Sequence, residues 1–391
     1  MDHLTDEELD ALAGHSGEHS VSIWMPAHRA GPEVREDRLR MKNLVARAED
    51  QLAAAGQRAA DARDRLHELR RMAEDEGFWR ERADGLAAFV GDGPPRVLRL
   101  PVTTPELVTV GGRFHVKPLF GAPRQDRAFH LLALSEDRVR FFRASRFVIE
   151  RVELPDAPES FEQFLRFDDF EKHVEYHTGT AGHGPGGDRP AVYHGQGEYV
   201  DEAEQKKRLM GYCGLIDREV VKAMHNRSGS LMLAATEPLA GLYRRVSACD
   251  RLDDRVVGGN PDRAHAEDLH RQAVALLGED FERPVRELAS RYHQAKDKDM
   301  AADDLAEILR AASLKAVDSL LVAADEQQWG RFDADKPAVE RHDGQQPGDE
   351  DLLNAAAVLA HRGGAPVYAV HREDVPNGGL AAAVLRFRPD G

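Results

Sequence analysis

Cysteine is nearly absent from this chain: of its 391 residues only Cys213 and Cys249 carry a thiol. Two cysteines build neither a disulfide framework nor a four-cysteine zinc site, and a reducing, cytoplasmic setting fits them best. No stretch approaches the eighteen or so apolar residues of a membrane span. The acidic N-terminus also lacks the basic and apolar regions of a signal peptide, so no membrane partner is expected. Basic charge is in short supply: 53 Lys and Arg stand against 69 Asp and Glu, a formal charge of −16. That balance argues against broad adhesion to nucleic acid while leaving room for a local basic surface. The common catalytic and nucleotide signatures, GxxxxGK[ST], GxSxG, HExxH and CxxC, are all missing. What is present, 41% apolar and 31% charged residues, is the composition of a globular protein long enough for two or three domains.

Local patterns predict an α/β chain. Thr5-Asp6-Glu7-Glu8 is a capping box for an opening helix. Val21 to Met25 reads as a strand ended by Pro26, and Glu33 to Asp75 as a helical hairpin broken near Gly56. The hairpin's apolar positions, Leu39, Leu44, Ala48, Leu52, Leu66 and Leu69, mark one buried face, and its charges read as a solvated one. Buried strands follow at Gly85 to Gly91, Arg96 to Leu100, Leu107 to Val110, Ala128 to Leu134, Val139 to Phe142 and Leu231 to Ala235. Gly258-Gly259-Asn260-Pro261 reads as a linker. Beyond it the periodicity predicts helices over 264–277, 282–295, 301–312 and 351–361. Strands are expected at 317–324, 329–332, 367–370 and 382–387, with a polar surface loop at 340–350.

One stretch stands apart. Between Gly179 and Gly197 lie seven glycines, with His183 and His194 among them and almost nothing apolar. No core can be built from that composition, so 177–200 is expected to be a long mobile loop. Asp201 then opens a helix whose apolar face carries Leu209, Cys213, Ile216, Val220 and Met224, with Asp217 and Glu219 expected to point off it into solvent. The spacing of His173, His177, His183 and His194 matches no standard metal site, and no metal or cofactor is expected. The sharpest local feature is His194-Gly195-Gln196-Gly197. Glycines beside a glutamine let the backbone approach a narrow site closely. The amide can then orient a water while a backbone N–H stabilises a developing oxyanion.

The segment 138–151 holds five arginines, Arg138, Arg140, Arg143, Arg146 and Arg151, against one acid, Glu150. Alternation places Arg138 and Arg140 on one strand face, away from Val139 and Phe141. Such a row is either a charged strand edge or a patch that contacts phosphate.

With these residues in view, the chain resembles the bacterial branch of the archaeo-eukaryotic peptide release factor and Pelota superfamily. VSIWMPAHRAGPE (21–33), GLAAFVG (85–91), GGRFHVKPLF (111–120) and HLLALSEDRVRFFRA (130–144) carry the likeness in order. The glycine-rich stretch occupies the position of that family's catalytic loop, followed by the helix from Asp201 and the strand LMLAA. AVDSLLVAADEQQWGRF (316–332) resembles part of the family's third domain, an α/β/α sandwich like the kink-turn-binding ribosomal proteins.

The resemblance implies three domains: 1–125, mixed α+β with the helical hairpin; 126–258, a central sheet-and-helix domain bearing the loop 177–200; and 264–391, the α/β/α sandwich. It implies a ribosome-binding factor that occupies the A site in rescue or hibernation, with rRNA, a P-site tRNA and a translational GTPase as its partners. By carry-over, Gln196, Gly195 and His194 are the catalytic candidates. Arg138, Arg140, Arg143, Arg146, His183, Gly186, Gly187 and Gly197 are the candidates for rRNA or tRNA contact. The family's active loop reads Gly-Gly-Gln, whereas His194 stands here before Gly195-Gln196. That departure leaves peptidyl-tRNA hydrolysis through Gln196 as an alternative to pure binding. A ribosome-independent RNA hydrolase and a stress-linked scaffold are the rival readings.

Overall fold

The computed structural model describes residues 4–29, 33–121, 127–166, 202–333 and 338–389. The first segment opens as its capping box requires. In α1 (Asp6–Gly14), Thr5 Oγ1 accepts the Glu8 N–H at 3.1 Å and the Glu8 carboxylate accepts the Thr5 N–H at 3.3 Å. Four antiparallel strands, β1 (Ser20–Pro26), β2 (Gly85–Val90), β3 (Arg96–Leu100) and β4 (Leu107–Gly111), form a sheet in the order β3-β2-β1-β4. Helices α2 (Val34–Ala54) and α3 (Ala59–Glu74) form the hairpin. Its turn holds Gly56 at φ +93°, where a side chain would be strained.

Alternation along β1 feeds two cores. Val21, Ile23 and Met25 pack with Met41, Leu44, Val45, Ala48, Leu52, Leu66 and Leu69 of the hairpin, while Trp24 faces the other way. Leu39, expected in the hairpin's buried stripe, is 60% exposed. The stripe runs through Met41 and Val45 instead, which share a face with Leu44, Ala48 and Leu52.

The central segment builds a five-stranded mixed sheet in the order β7-β6-β5-β8-β9, from β5 (Phe129–Leu134), β6 (Val139–Ala144), β7 (Ile149–Val152), β8 (Leu231–Ala235) and β9 (Leu252–Gly258). β5, β8 and β9 run parallel, and β6 and β7 run antiparallel beside them. Helices α4 (Glu202–Met224) and α5 (Glu237–Val246) supply Tyr212, Cys213, Ile216, Val220 and Tyr243 to a core with Leu132, Leu134, Phe141, Leu231 and Leu233. Pro238 sits in the first turn of α5, where its missing N–H costs nothing.

Next comes α6 (Ala266–Lys296), a single 31-residue helix where two were expected. Pro284 removes one helical donor, but Leu269, Ala273, Leu277, Phe281, Leu288 and Tyr292 stay buried along its whole length, and that burial outweighs the break. The expected helix 301–312 is a short strand, β10 (Ala301–Ala302), followed by α7 (Leu305–Ser313), which Asp304 caps through the N–H groups of Ala306 and Glu307.

The remaining strands are β11 (Val317–Ala323), β12 (Trp329–Asp333), β13 (Ala338–His342), β14 (Glu350–Asp351), β15 (Val367–Val370) and β16 (Ala381–Leu385), with α8 (Leu352–Arg362) between β14 and β15. They form a four-stranded sheet, β10-β16-β11-β15, and a three-stranded one, β13-β12-β14. The expected polar loop 340–350 therefore starts and ends in strand. Gly330 is the reason β12 and β13 can lie so close, since a Cβ there would sit 1.9 Å from the Glu340 carbonyl oxygen.

Two compact units result: Met1–Asp126 with Asp280–Gly391, and Arg127–Glu279. The first and last segments, read from sequence as separate domains, share one core in which Leu9, Trp24 and Phe120 pack with Ile308, Leu320 and Leu353. Polar side chains tie the same two segments together. Asn354 Oδ1 accepts the N–H groups of Val116 and Lys117 at 2.8 and 2.9 Å, and its amide donates to the Phe114 carbonyl. The expected break at 258–261 is not a boundary, because the chain beyond it is pinned to the central sheet. Arg140 donates to the carbonyls of Pro261 and Ala264, and Ser135 hydrogen-bonds Asp262. Among the described residues no helix is long and apolar enough to cross a membrane.

Candidate functional site

The central unit, Arg127–Glu279, carries both sets of residues singled out by sequence. His183, Gly186, Gly187, His194, Gly195, Gln196 and Gly197 lie outside the described residues, as does the expected N-cap Asp201. The helix expected to follow is present as α4, with Cys213, Ile216, Val220 and Met224 buried on one face. Burial pushes the Cys213 thiol up to about 12, so it stays protonated and inert near neutral pH.

Asp217 is not in solvent, as its place off the apolar stripe suggested. It is 2% exposed and accepts hydrogen bonds from Ser247 Oγ at 2.6 Å and the Ala248 N–H at 2.7 Å. The chain leaving α5 thus finds its hydrogen-bond acceptor on α4, a partnership that only the packing of the two helices creates. Glu202, Lys206 and Leu209 from the amino-terminal part of α4 and Glu237, Pro238 and Arg245 along α5 line an open cleft of about 390 Å³. Its walls carry both charge signs over an apolar floor.

The four arginines do not form one patch. Arg138 is exposed at the start of β6. Arg140 is only 9% exposed, and its guanidinium is used internally on Pro261 and Ala264, which corrects the expectation that it is available to RNA. Burial first, then the neighbouring Arg138 charge, lower its pKa. Arg143 is exposed near the other end of the strand and on the opposite face, since register pairs Arg140 with Ala133 but Arg143 with His130. Arg146 lies beyond the strand with its guanidinium 5.7 Å above the Phe147 ring.

Around Arg143 the sheet gathers residues that sequence reading missed. His130 is completely buried and stacks on Phe141 at 5.6 Å. Its N–H donates to Ser230 O at 2.7 Å, and the next residue of β8, Leu231, donates to Arg251 O at 2.8 Å. Residues 130, 230 and 251 therefore stand side by side at one end of the sheet, with Arg143 across from His130. Gly229, at φ +111°, makes the close approach feasible: a Cβ there would lie 2.3 Å from the Ala128 carbonyl oxygen. Arg251 donates to the carbonyls of Arg227 and Met224, closing the C-terminal end of α4. No sequence motif marks Arg227, Arg251 and His130 as neighbours, because each lies on a different strand or strand entry.

Residues 129–279 match the family described as Bacterial archaeo-eukaryotic release factor family 7. No curated protein matches the chain. Among solved structures, the archaeal translation termination factor aRF1 is 13% identical, with 97% of this chain and 96% of that one covered and a TM-score of 0.24. Archaeoglobus fulgidus Pelota is 14% identical over 78% and 80% of the two chains, with a TM-score of 0.31. The archaeal Pelota from a ribosome-bound assembly with ABCE1 is 11% identical over 99% and 95%, with a TM-score of 0.35. At these scores the family match over the central unit is the finding that counts. It makes residues 129–279, and not the whole chain, similar to the bacterial archaeo-eukaryotic release factor family 7.

Proposed function

We propose that this chain is a ribosome-binding translation factor of the release-factor and Pelota kind, acting in the cytoplasm by occupying the ribosomal A site in rescue or hibernation. One observation carries the reading. The family match, 129–279, coincides with the compact unit Arg127–Glu279, and in sequence His194-Gly195-Gln196-Gly197 falls within that match, after β7 and before α4. In this reading 177–200 is the arm that reaches toward rRNA and the P-site tRNA, and a translational GTPase is the delivering partner. Binding does not need the hydrolytic Gly-Gly-Gln sequence, so the substitution of His194 leaves it intact.

Co-sedimentation tests the proposal. Purified protein is layered with empty ribosomes, and with ribosomes that carry P-site peptidyl-tRNA and a vacant A site. The expected result is stoichiometric migration with the second particle, competed by A-site tRNA. Protein that stays at the top of the gradient with every ribosomal state would overturn it, and RNA cleavage without ribosomes would favour the hydrolase instead.

A further inference from the structure

We propose that Arg143, Arg227 and Arg251, gathered at one end of the central sheet around the buried His130, form a contact site for the phosphodiester backbone of RNA. The register supplies the geometry: Arg143 stands across β6 from His130, the chain entering β8 from Arg227 hydrogen-bonds the His130 strand through Ser230, and Arg251 enters β9 beside it. Neither the Arg143 nor the Arg227 guanidinium has a hydrogen bond or ion pair among the described residues, and both side chains are exposed. Two unengaged planar forks on one surface suit the paired oxygens of phosphate. The third, Arg251, is held in place by the Arg227 and Met224 carbonyls. Two acids stand at this end: Glu150 on β7, in register with Arg143, and the exposed Asp250, 3.7 Å from the Arg251 guanidinium.

His130 is the second, independent sign. It is wholly buried, and neither ring nitrogen has a hydrogen-bond partner. Burial, then Arg227, Arg251 and Arg143, hold its pKa down to about 4, while the Ser230 backbone acts weakly the other way without a bond of good geometry. A buried imidazole without a hydrogen bond, beneath two guanidinium groups that have no ion pair among the described residues, is a surface that an anion would complete. The overall charge of −16 repels a polyanion from most of the protein, which confines contact to such a spot. The choice of RNA over other polyanions rests on the translation-factor reading.

The test uses the full chain and fluorescence anisotropy with a short single-stranded oligoribonucleotide and an RNA duplex at stepped KCl concentrations. The variants are Arg143→Gln with Arg227→Gln, and Arg63→Gln, on the exposed face of α3, as a control. Each lost phosphate contact lowers the salt slope by about one, so the double variant is expected to lose about two from the slope and roughly tenfold or more in affinity at low salt. Arg63→Gln should match the parent. Ring-nitrogen NMR of His130 gives a readout that a merely structural role would not move, since RNA saturation should raise its pKa in the parent protein. Equal slopes for parent and double variant, or RNA binding that leaves His130 unmoved, would overturn the site. So would a response to inorganic phosphate, anionic vesicles or an acidic peptide without RNA binding. Oligoribonucleotide binding with the expected slope but no ribosome co-sedimentation would sink the translation reading and leave this site standing. Co-sedimentation unaffected by the double variant would do the reverse.

Discussion

Lys117 and Asp351 meet at 2.9 Å with neither side chain exposed to solvent, one from the N-terminal segment and the other at the cap of α8. Lys117 also donates to the Glu326 carbonyl, and Asp351 accepts the N–H groups of Gln328 and Leu353, both at 3.1 Å. Two charges taken out of water are tolerable only when each supplies the other's partner. Glu350 and Arg113 repeat the arrangement one residue away, at 2.9 Å. The two ends of the chain are thus joined by interactions that neither can satisfy alone.

Replacing Lys117 by Met should therefore strand a buried carboxylate and cost on the order of 3–5 kcal/mol. Urea denaturation followed by tryptophan fluorescence measures it. The double variant Lys117→Met with Asp351→Asn should recover part of the loss, because asparagine keeps the acceptor for Gln328 and Leu353 while removing the charge. A loss under about 1 kcal/mol for Lys117→Met would mean that this pair contributes little to the joint.

Acid should weaken the same unit through His115. Its ring is 3% exposed, neither nitrogen is hydrogen-bonded, and Asp351 Oδ2 lies 3.8 Å away. Burial outweighs the attraction of that carboxylate and lowers the pKa from 6.5 to about 4. Below pH 6.5 the unfolded chain binds a proton that the folded one refuses. The stabilisation is therefore complete above that pH and is lost as pH falls toward 4, with a ceiling on the order of 3 kcal/mol. Glu350, raised by burial, acts in the opposite sense, losing stability as pH rises, so the informative quantity is a difference. Urea midpoints at pH 7 and pH 5 should lie closer together in His115→Phe than in the parent; an equal spacing would rule His115 out.

Asp217 should prove to be a stability determinant of the central unit. Asp217→Ala removes the acceptor of the Ala248 N–H and the Ser247 hydroxyl, both of which water can partly reach, at a total cost on the order of 1–2 kcal/mol. Asp217→Asn keeps one carbonyl acceptor and should lose less. Thermal unfolding of the isolated variants decides the order, and a parent-like melting temperature for Asp217→Ala would refute it.

For Gln196, binding and chemistry should separate. Losing one well-placed donor costs on the order of 100- to 1000-fold in rate, with no comparable loss of affinity. Gln196→Ala is expected to co-sediment with ribosomes as the parent does, whereas deletion of 182–197 removes the reach of the arm and should impair association. A peptidyl-tRNA release assay completes the comparison. Robust release by the parent that Gln196→Ala abolishes would establish a hydrolytic factor despite His194.

How much of this was legible in the sequence depends on the range of the interaction that carries it. Capping, strand alternation and the helical stripe are set by residues a few positions apart. The Thr5–Glu8 box, β1, the hairpin around Gly56, β5, α4 and β8 could therefore be read directly. So could the likeness of the central unit to the release factor family, whose linear motifs appear in order. The single helix through Pro284 could not, because distant packing, not local propensity, keeps it continuous. Nor could the union of the first and last segments, since a strand such as β1, buried on both faces, does not announce what covers its second face. Residue type alone made Arg140 and Arg143 equivalent. Register decided that one is a clamp on Pro261 and Ala264 and the other an open guanidinium beside His130, because a shift in parity along a strand exchanges the two faces of a sheet.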